Sequence, residues 1–297
     1  METIAHSSVW RRRAWVAPLA LVVALLVGTA THAQTVALNA AGDIARCGTD
    51  GARRTAALLD RLDGDILALG DLAYERGSRK DFRACYDPTW GRFKARTWPA
   101  PGNHEYRTEG AAGYFAYWGA RAGVAGEGYY SFDYGAWHVI SLNSSIDAET
   151  GSSQDAWLAR DLAGTTARCV LAFWHHPVFS SGRHGNNSKM LDLLRRLYAS
   201  GASVVLAGHD HLYERFARQN PAGQADAARG IRQFTVGTGG ARLYRFDDIR
   251  PNSEVRYNDA WGVLRLELAP DRYRWTFIAV DGREVDKGSE NCIERPQ

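Results

Sequence analysis

The 297-residue chain is 45% hydrophobic and 23% charged, with a formal net charge of +3, which is long and apolar enough for one substantial core. So small a charge leaves no polyelectrolyte footprint, and nucleic acid is excluded as a designed partner. Four cysteines, none in a Cys-x-x-Cys pair, exclude a zinc knuckle and point to two disulfides if the chain is exported.

The first 33 residues read as a secretory signal peptide. Arg11, Arg12 and Arg13 form a positive start, residues 16–30 an apolar stretch, and Thr31-His32-Ala33 a small-residue site with cleavage before Gln34. A membrane anchor fits less well, because the stretch is short and holds Pro18 and Gly28. Arg12-Arg13-Ala14-Trp15-Val16 loosely resembles a twin-arginine signal. The expectation is a secreted or periplasmic protein whose remaining residues, 34–297, are nearly neutral and form one domain with no membrane span.

Strand-like runs at 36–44, 66–69, 98–102, 170–174 and 204–207 are short and mostly rich in Val, Leu and Ala. Each stops at a Gly or at a polar residue, as buried strands do when they deliver side chains to the carboxyl edge of a sheet. The residues delivered are Asp43, Asp71, Tyr74, Asn103, His175, His209 and His211. Bare carboxylates are expensive to desolvate, so acids and imidazoles converging at such an edge imply a cation among them. Residues 49–62, 153–162 and 188–198 carry amphipathic helical patterns, and 128–142 reads as a hairpin turning at Gly135. The final third is strand-rich, with runs at 232–236, 262–268 and 273–280, after a polar surface loop at 218–230. The expected pairing of the cysteines is Cys47 with Cys85 and Cys169 with Cys292. The sum is an α/β domain of two sheets packed face to face with helices outside.

Of the nine histidines, His104, His175, His176, His184, His209 and His211 fall in motif-bearing loops, whereas His138 lies in an ordinary strand pattern and reads as structural. In Gly208-His209-Asp210-His211 the two imidazoles are two residues apart, so on extended chain they point the same way.

Asp43, Gly70-Asp71-Leu72-Ala73-Tyr74, Gly102-Asn103-His104-Glu105, His175 and Gly208-His209-Asp210-His211 resemble, in order, the signature of the calcineurin-like metallophosphoesterases. Ala45 stands where generic members have a histidine and Tyr74 where they have an aspartate, the exchange made by the purple acid phosphatase branch. His209 to Arg215 and Val236-Gly237-Thr238-Gly239-Gly240 extend the likeness, which spans roughly residues 35–281. The resemblance implies a four-layer α/β/β/α sandwich of two mixed sheets. It also implies two metal ions bridged by Asp71, with Asp43, Tyr74 and His211 completing the first site and Asn103, His175 and His209 the second. In that family the first ion is typically Fe(III) and the second Zn, Mn or Fe(II), in keeping with the harder and softer donor sets. One departure is Ile44-Ala45 after Asp43, where the branch usually has a second Gly directly after the Asp.

The implied reaction is hydrolysis of a small phosphate monoester by water activated between the cations, with no protein nucleophile required. His104 and His184 are the candidates for contacting substrate and protonating the leaving group, with Glu105 orienting His104. His176 is expected beside the ligands rather than among them, because the family's ligand stands two residues before the proline, as His175 does before Pro177. The Ser/Gly-rich loop around His184 reads as one built to move or wrap, and Tyr106, Tyr114, Phe115 and Trp118 as a possible substrate rim. A phosphodiesterase acting on nucleotides or lipid head groups is the alternative, and a metal-containing binding module without activity a third reading, disfavoured because all seven ligands are present.

Overall fold

The architecture follows from strands that are apolar on both faces. In the computed structural model, which describes residues 1–3 and 34–295, residues 34–295 contain thirteen strands in two mixed sheets. Residues 4–33, nearly all of the expected signal peptide, lie outside the described residues. No helix among the described residues is long and apolar enough to cross a membrane.

The strands are β1 (Val36–Ala41), β2 (Asp65–Leu69), β3 (Thr97–Ala100), β4 (Tyr130–Tyr134), β5 (Trp137–Ser141), β6 (Cys169–Phe173) and β7 (Val204–Ala207). They continue with β8 (Tyr213–Phe216), β9 (Arg232–Val236), β10 (Ser253–Tyr257), β11 (Gly262–Leu268), β12 (Arg272–Ala279) and β13 (Glu284–Asn291). One sheet runs β13-β12-β11-β1-β2-β3, the other β10-β8-β9-β7-β6-β5-β4. β1, β2 and β3 are mutually parallel, and so are β5, β6, β7 and β9, while the flanking strands are antiparallel.

Alternation along β6 shows how the layers are built. Leu171 and Phe173 belong to the core between the sheets, whereas Val170 and Ala172 face a second cluster with Leu158, Leu162, Leu193 and Leu197. Those leucines come from the helices at Ser153–Gly164 and Leu191–Ala199, which connect β5 to β6 and β6 to β7. Helix Gly51–Leu59 connects β1 to β2 and buries Ala52, Ala56 and Leu59 against the first sheet. A parallel connection requires such a crossover, and each one brings a strand's carboxyl end to the same edge as its neighbour's. The result is the expected four-layer α/β/β/α sandwich, and the hairpin at Gly135 is present as β4–β5. The helix expected at 49–62 is shorter, and the one at 188–198 opens with a 3₁₀ turn, Ser188–Met190.

Both expected disulfides are present. Cys47–Cys85 joins the loops beyond β1 and β2, with Cα atoms 4.9 Å apart, and Cys169–Cys292 pins the tail beyond β13 to the start of β6 at 5.5 Å. β13 itself, Glu-Val-Asp-Lys-Gly-Ser-Glu-Asn, carries no apolar run and was not legible as a strand. Besides its backbone pairing with β12, it is held by ionic and polar side-chain contacts to β12 and to the other sheet. Asp286 accepts from Tyr213 Oη at 2.6 Å, Arg215 Nε at 2.7 Å and Trp275 Nε1 at 3.1 Å. Glu290 accepts from Tyr273 Oη at 2.6 Å and Arg218 Nε at 2.9 Å, and pairs with Arg232.

His138 is a structural histidine in the strand β5. Its Nδ1 lies 2.8 Å from Asp133 and its Nε2 2.8 Å from Asp161, which also accepts from Ser131 Oγ. Burial disfavours the imidazolium, but the two carboxylates outweigh it and the pKa is raised above the ordinary 6.5. A group raised on folding stabilises the fold fully below its unfolded pKa and loses that contribution as pH climbs through the raised value. The stability lost in His138→Gln, measured by urea unfolding across pH, should therefore be about 1–2 kcal/mol below pH 6.5 and shrink at alkaline pH. A loss that is flat or grows with pH would contradict the charged pairing.

Candidate metal centre

Five strand ends deliver the seven sequence-identified donors to one place. Asp43 follows β1, Asp71 and Tyr74 follow β2, Asn103 follows β3, His175 follows β6, and His209 and His211 follow β7. The backbone is strained there: Asp43, Asp71 and His209 adopt left-handed φ values of 58°, 50° and 71°, which non-glycine residues rarely do outside functional sites. Two glycines give the room. A Cβ on Gly208 would meet Asp43 Oδ2 at 2.7 Å, and one on Gly70, itself at φ 81°, would meet His175 Nδ1 at 2.6 Å.

The donors fall into two groups sharing one atom. Tyr74 Oη lies 3.0 Å from Asp43 Oδ1, 3.1 Å from His211 Nε2 and 3.3 Å from Asp71 Oδ2. His175 Nε2 lies 3.2 Å from Asn103 Oδ1, 3.2 Å from His209 Nδ1 and 3.3 Å from the same Asp71 Oδ2. Donors bound about 2.0–2.2 Å from a common ion stand about 3 Å apart, so each group has the spacing of a coordination shell.

Proton counting gives an independent test of fit. Tyr74 has one O–H for three acceptor neighbours. His211 Nδ1 is 2.7 Å from the Arg242 carbonyl, and His175 Nδ1 is 2.9 Å from the Leu69 carbonyl. Each Nδ1 must donate there, so in the neutral imidazole each Nε2 turns a lone pair toward the other acceptors. A histidine oriented by a carbonyl on its far nitrogen is the arrangement typical of metal ligands. Without a cation the cluster gathers protons instead. Burial lowers the pKa of His175, yet Asp71 and Asp43 raise it to about 9. Burial raises Asp71, but His175 and His104 bring it below the usual carboxylate range. Burial, Asp43 and Asp71 hold the Tyr74 phenol well above 10. His176 and His209 are pushed down to about 2, by burial first and then by the charge of His175. The donor set fits a pair of cations.

His176 lies beside this cluster, its ring centroid 4.4 Å from that of His209. Its nitrogens could join His175 and His209 around one ion, but its Nδ1 is 2.8 Å from Ser144 Oγ. The His104 ring lies 4.4 Å from that of Tyr74, tilted by 59°, with its Nε2 3.8 Å from Asp71 Oδ2 and 13% of its side chain exposed. His184 sits 4.2 Å, ring to ring, from His209. Both therefore border the open side of the donor cluster.

Glu105 does something other than orient His104, whose Nδ1 instead meets the Glu75 carbonyl at 2.7 Å. The buried Glu105 carboxylate accepts from the backbone N–H groups of Asp71 and Leu72 at 2.9 Å, Ala73 at 3.3 Å and Gly102 at 2.8 Å. It welds the second ligand loop to the third. Burial and the charge of Asp71 push it up to about 8, against the pull of those donors.

The His184 loop also differs from expectation, being fastened at its base. Asp210, buried between His209 and His211 in the chain, accepts from Ser180 Oγ at 2.5 Å and from the His184 N–H at 3.0 Å. Glu214 accepts from the Ser181 N–H at 2.8 Å. Of the expected aromatic rim, Tyr114 and Trp118 are core residues, and Tyr106 Oη accepts from Asn143 at 2.7 Å. The roles of Glu105 and Asp210 escape sequence reading because their partners are backbone amides and residues distant in sequence.

Comparison with known proteins agrees with this geometry. The family model for calcineurin-like phosphoesterases matches residues 32–213. Purple acid phosphatase 21 of Arabidopsis thaliana is 30% identical over 86% of this chain and 63% of its own length. Purple acid phosphatase 18 of the same plant is 30% identical over 54% of this chain and 39% of its own. Human tartrate-resistant acid phosphatase type 5 is 32% identical over 48% of this chain and 43% of its own. The chain thus spans about two fifths to two thirds of these relatives. Among solved structures, a purple acid phosphatase from yellow lupin (Lupinus luteus) seeds superposes with a TM-score of 0.73 at 18% identity, over 89% of this chain and 54% of the lupin chain. With the family model covering more than half its length and its donors arranged in two groups about Asp71, the chain belongs to the calcineurin-like phosphoesterase family, and the relatives it resembles here are purple acid phosphatases.

Proposed function

We propose that the chain is an exported phosphomonoesterase with a dinuclear centre. One ion is held by Asp43, Asp71, Tyr74 and His211, the other by Asp71, Asn103, His175 and His209. The observation that carries this reading is Asp71 Oδ2, 3.3 Å from both Tyr74 Oη and His175 Nε2. The first donor set, two carboxylates, a phenol and one imidazole, suits hard Fe(III), and the second, two imidazoles, an amide and the shared carboxylate, suits Zn, Mn or Fe(II). Two disulfides are in keeping with an oxidising compartment and with the signal peptide expected in residues 1–33.

When bound, the ions would polarise the phosphoryl oxygens and bring the pKa of water to about 7. The protein's own share is placement and proton supply. Glu105 and the strained loops fix the donors before substrate arrives, which is the structural basis of electrostatic preorganisation. His104 and His184 flank the open side, where they can bind phosphoryl oxygens and give a proton to the departing alkoxide. A rim of histidines matches the dianion of a monoester.

Metal analysis of the isolated protein, with turnover of p-nitrophenyl phosphate and bis(p-nitrophenyl) phosphate across pH, tests the whole reading. Two ions per chain and faster monoester hydrolysis are expected, and a faster diester reaction or a metal-free active protein would overturn it. Asp71→Asn should strip both ions, whereas two ions retained in that variant would rule out the shared ligand. His184→Ala should leave metal content at the wild-type level and lower kcat about a hundredfold; unchanged kinetics on p-nitrophenyl phosphate would remove His184 from the chemistry.

A further inference from the structure

Next to the donor cluster, beyond His211, lies an open cavity of about 440 Å³ lined by Arg183, Arg242, Leu243, Tyr244, Arg245 and Asp247. It shares a wall with the metal centre. The Tyr244 ring stacks on His211 at 4.0 Å and 11°, and the Tyr244 N–H donates to the His211 carbonyl at 2.9 Å. His184 approaches the same ring at 5.6 Å, and the Arg183 guanidinium stands over it at 5.8 Å. Gly182 forms a β-bridge with Phe246, and the Asp247 N–H donates to the Ser181 carbonyl at 3.0 Å, so the two walls of the cavity are one connected piece.

The charge of this cavity is unbalanced. Nearby Arg46 and Arg107 pair with Glu75, and Arg250 pairs with Asp248. Arg183, Arg242 and Arg245 are exposed and form no ion pair among the described residues, and Asp247 is the one acid in the lining. Three guanidinium groups facing one carboxylate leave a net positive pocket, and guanidinium forks match phosphate oxygens in geometry as well as charge. The position, one aromatic ring away from the donor cluster, is where a second anionic group on a substrate would fall.

We propose that this cavity is an anion subsite that selects phosphomonoesters carrying a second phosphoryl group near the scissile one. The inference rests on the phosphomonoesterase reading above, and its test separates the two. The metal-loaded full chain is compared with Arg183→Gln/Arg245→Gln and Arg183→Lys/Arg245→Lys, leaving Arg242 intact because its carbonyl holds His211. Turnover is measured on p-nitrophenyl phosphate, fructose 6-phosphate and fructose 1,6-bisphosphate, and binding of the two sugar phosphates by calorimetry.

The wild type should prefer the bisphosphate by about tenfold in kcat/KM. The glutamine variant should fall to near parity, the lysine variant, which keeps the charge without the fork, should fall between the two, and added salt should erode the preference. Turnover of p-nitrophenyl phosphate should be the same in all three proteins. Normal p-nitrophenyl phosphate turnover with no bisphosphate preference, or with one untouched by the glutamine pair, would overturn the subsite while leaving the phosphatase reading standing. Absent turnover with a binding preference that the glutamine pair removes would support the subsite and overturn the phosphatase reading.

Discussion

The structure depends on a shortage of protons. Around Asp71, one phenol hydrogen faces three acceptors, and two imidazoles have committed their N–H groups to carbonyls on the far side. Such a cluster is repulsive in its ligand-ready state, and lone pairs buried without partners are expensive. The fold can hold it because each donor stands at the end of a buried strand, fixed by its own sheet. Parallel pairing brings the ends of β1, β2 and β3 to one edge, and the opposing sheet brings those of β6 and β7 to meet them. The core between the sheets is what keeps mutually repelling groups in contact range.

How much of this was legible in the sequence depended on whether burial was written as hydrophobicity. β7, apolar throughout, and β9, which ends in Phe234-Thr235-Val236, were legible to the residue, and so were the donors at the strand ends. β13 was not, because it satisfies its buried side with Asp286 and Glu290 against arginines of β8, β9 and the loop beyond β8, and acids spaced along a polar segment look like solvated surface. β8 was hidden for the same reason, its Glu214 and Arg215 being paired with distant groups. Tyr114 and Trp118 looked like a rim because they follow a ligand motif, but sequence proximity to a site does not decide which way a ring points.

The site was more readable than its supports. The candidate donors are marked by residue type and by position after a strand, both visible in one dimension. Glu105 and Asp210 act on amides and hydroxyls supplied from other loops, so their roles exist only once the loops are assembled. Glu105 is a case where expecting a polar neighbour to assist the adjacent histidine gave the wrong partner: its carboxylate turns away from His104 to hold backbone.

Asp210 carries a consequence of its own. It occupies the single position between His209 and His211, which fall in different donor groups, and its carboxylate grips the loop that presents Arg183 and His184. The loop that carries Arg183 and His184 is thereby fastened to the backbone of the donor cluster. Whatever orders or loosens the backbone between those two imidazoles is transmitted to the loop through two hydrogen bonds, with no lid or hinge in between. On the dinuclear reading proposed above, filling the centre and ordering the outer loop would be one event, and a protein short of metal would present that loop differently.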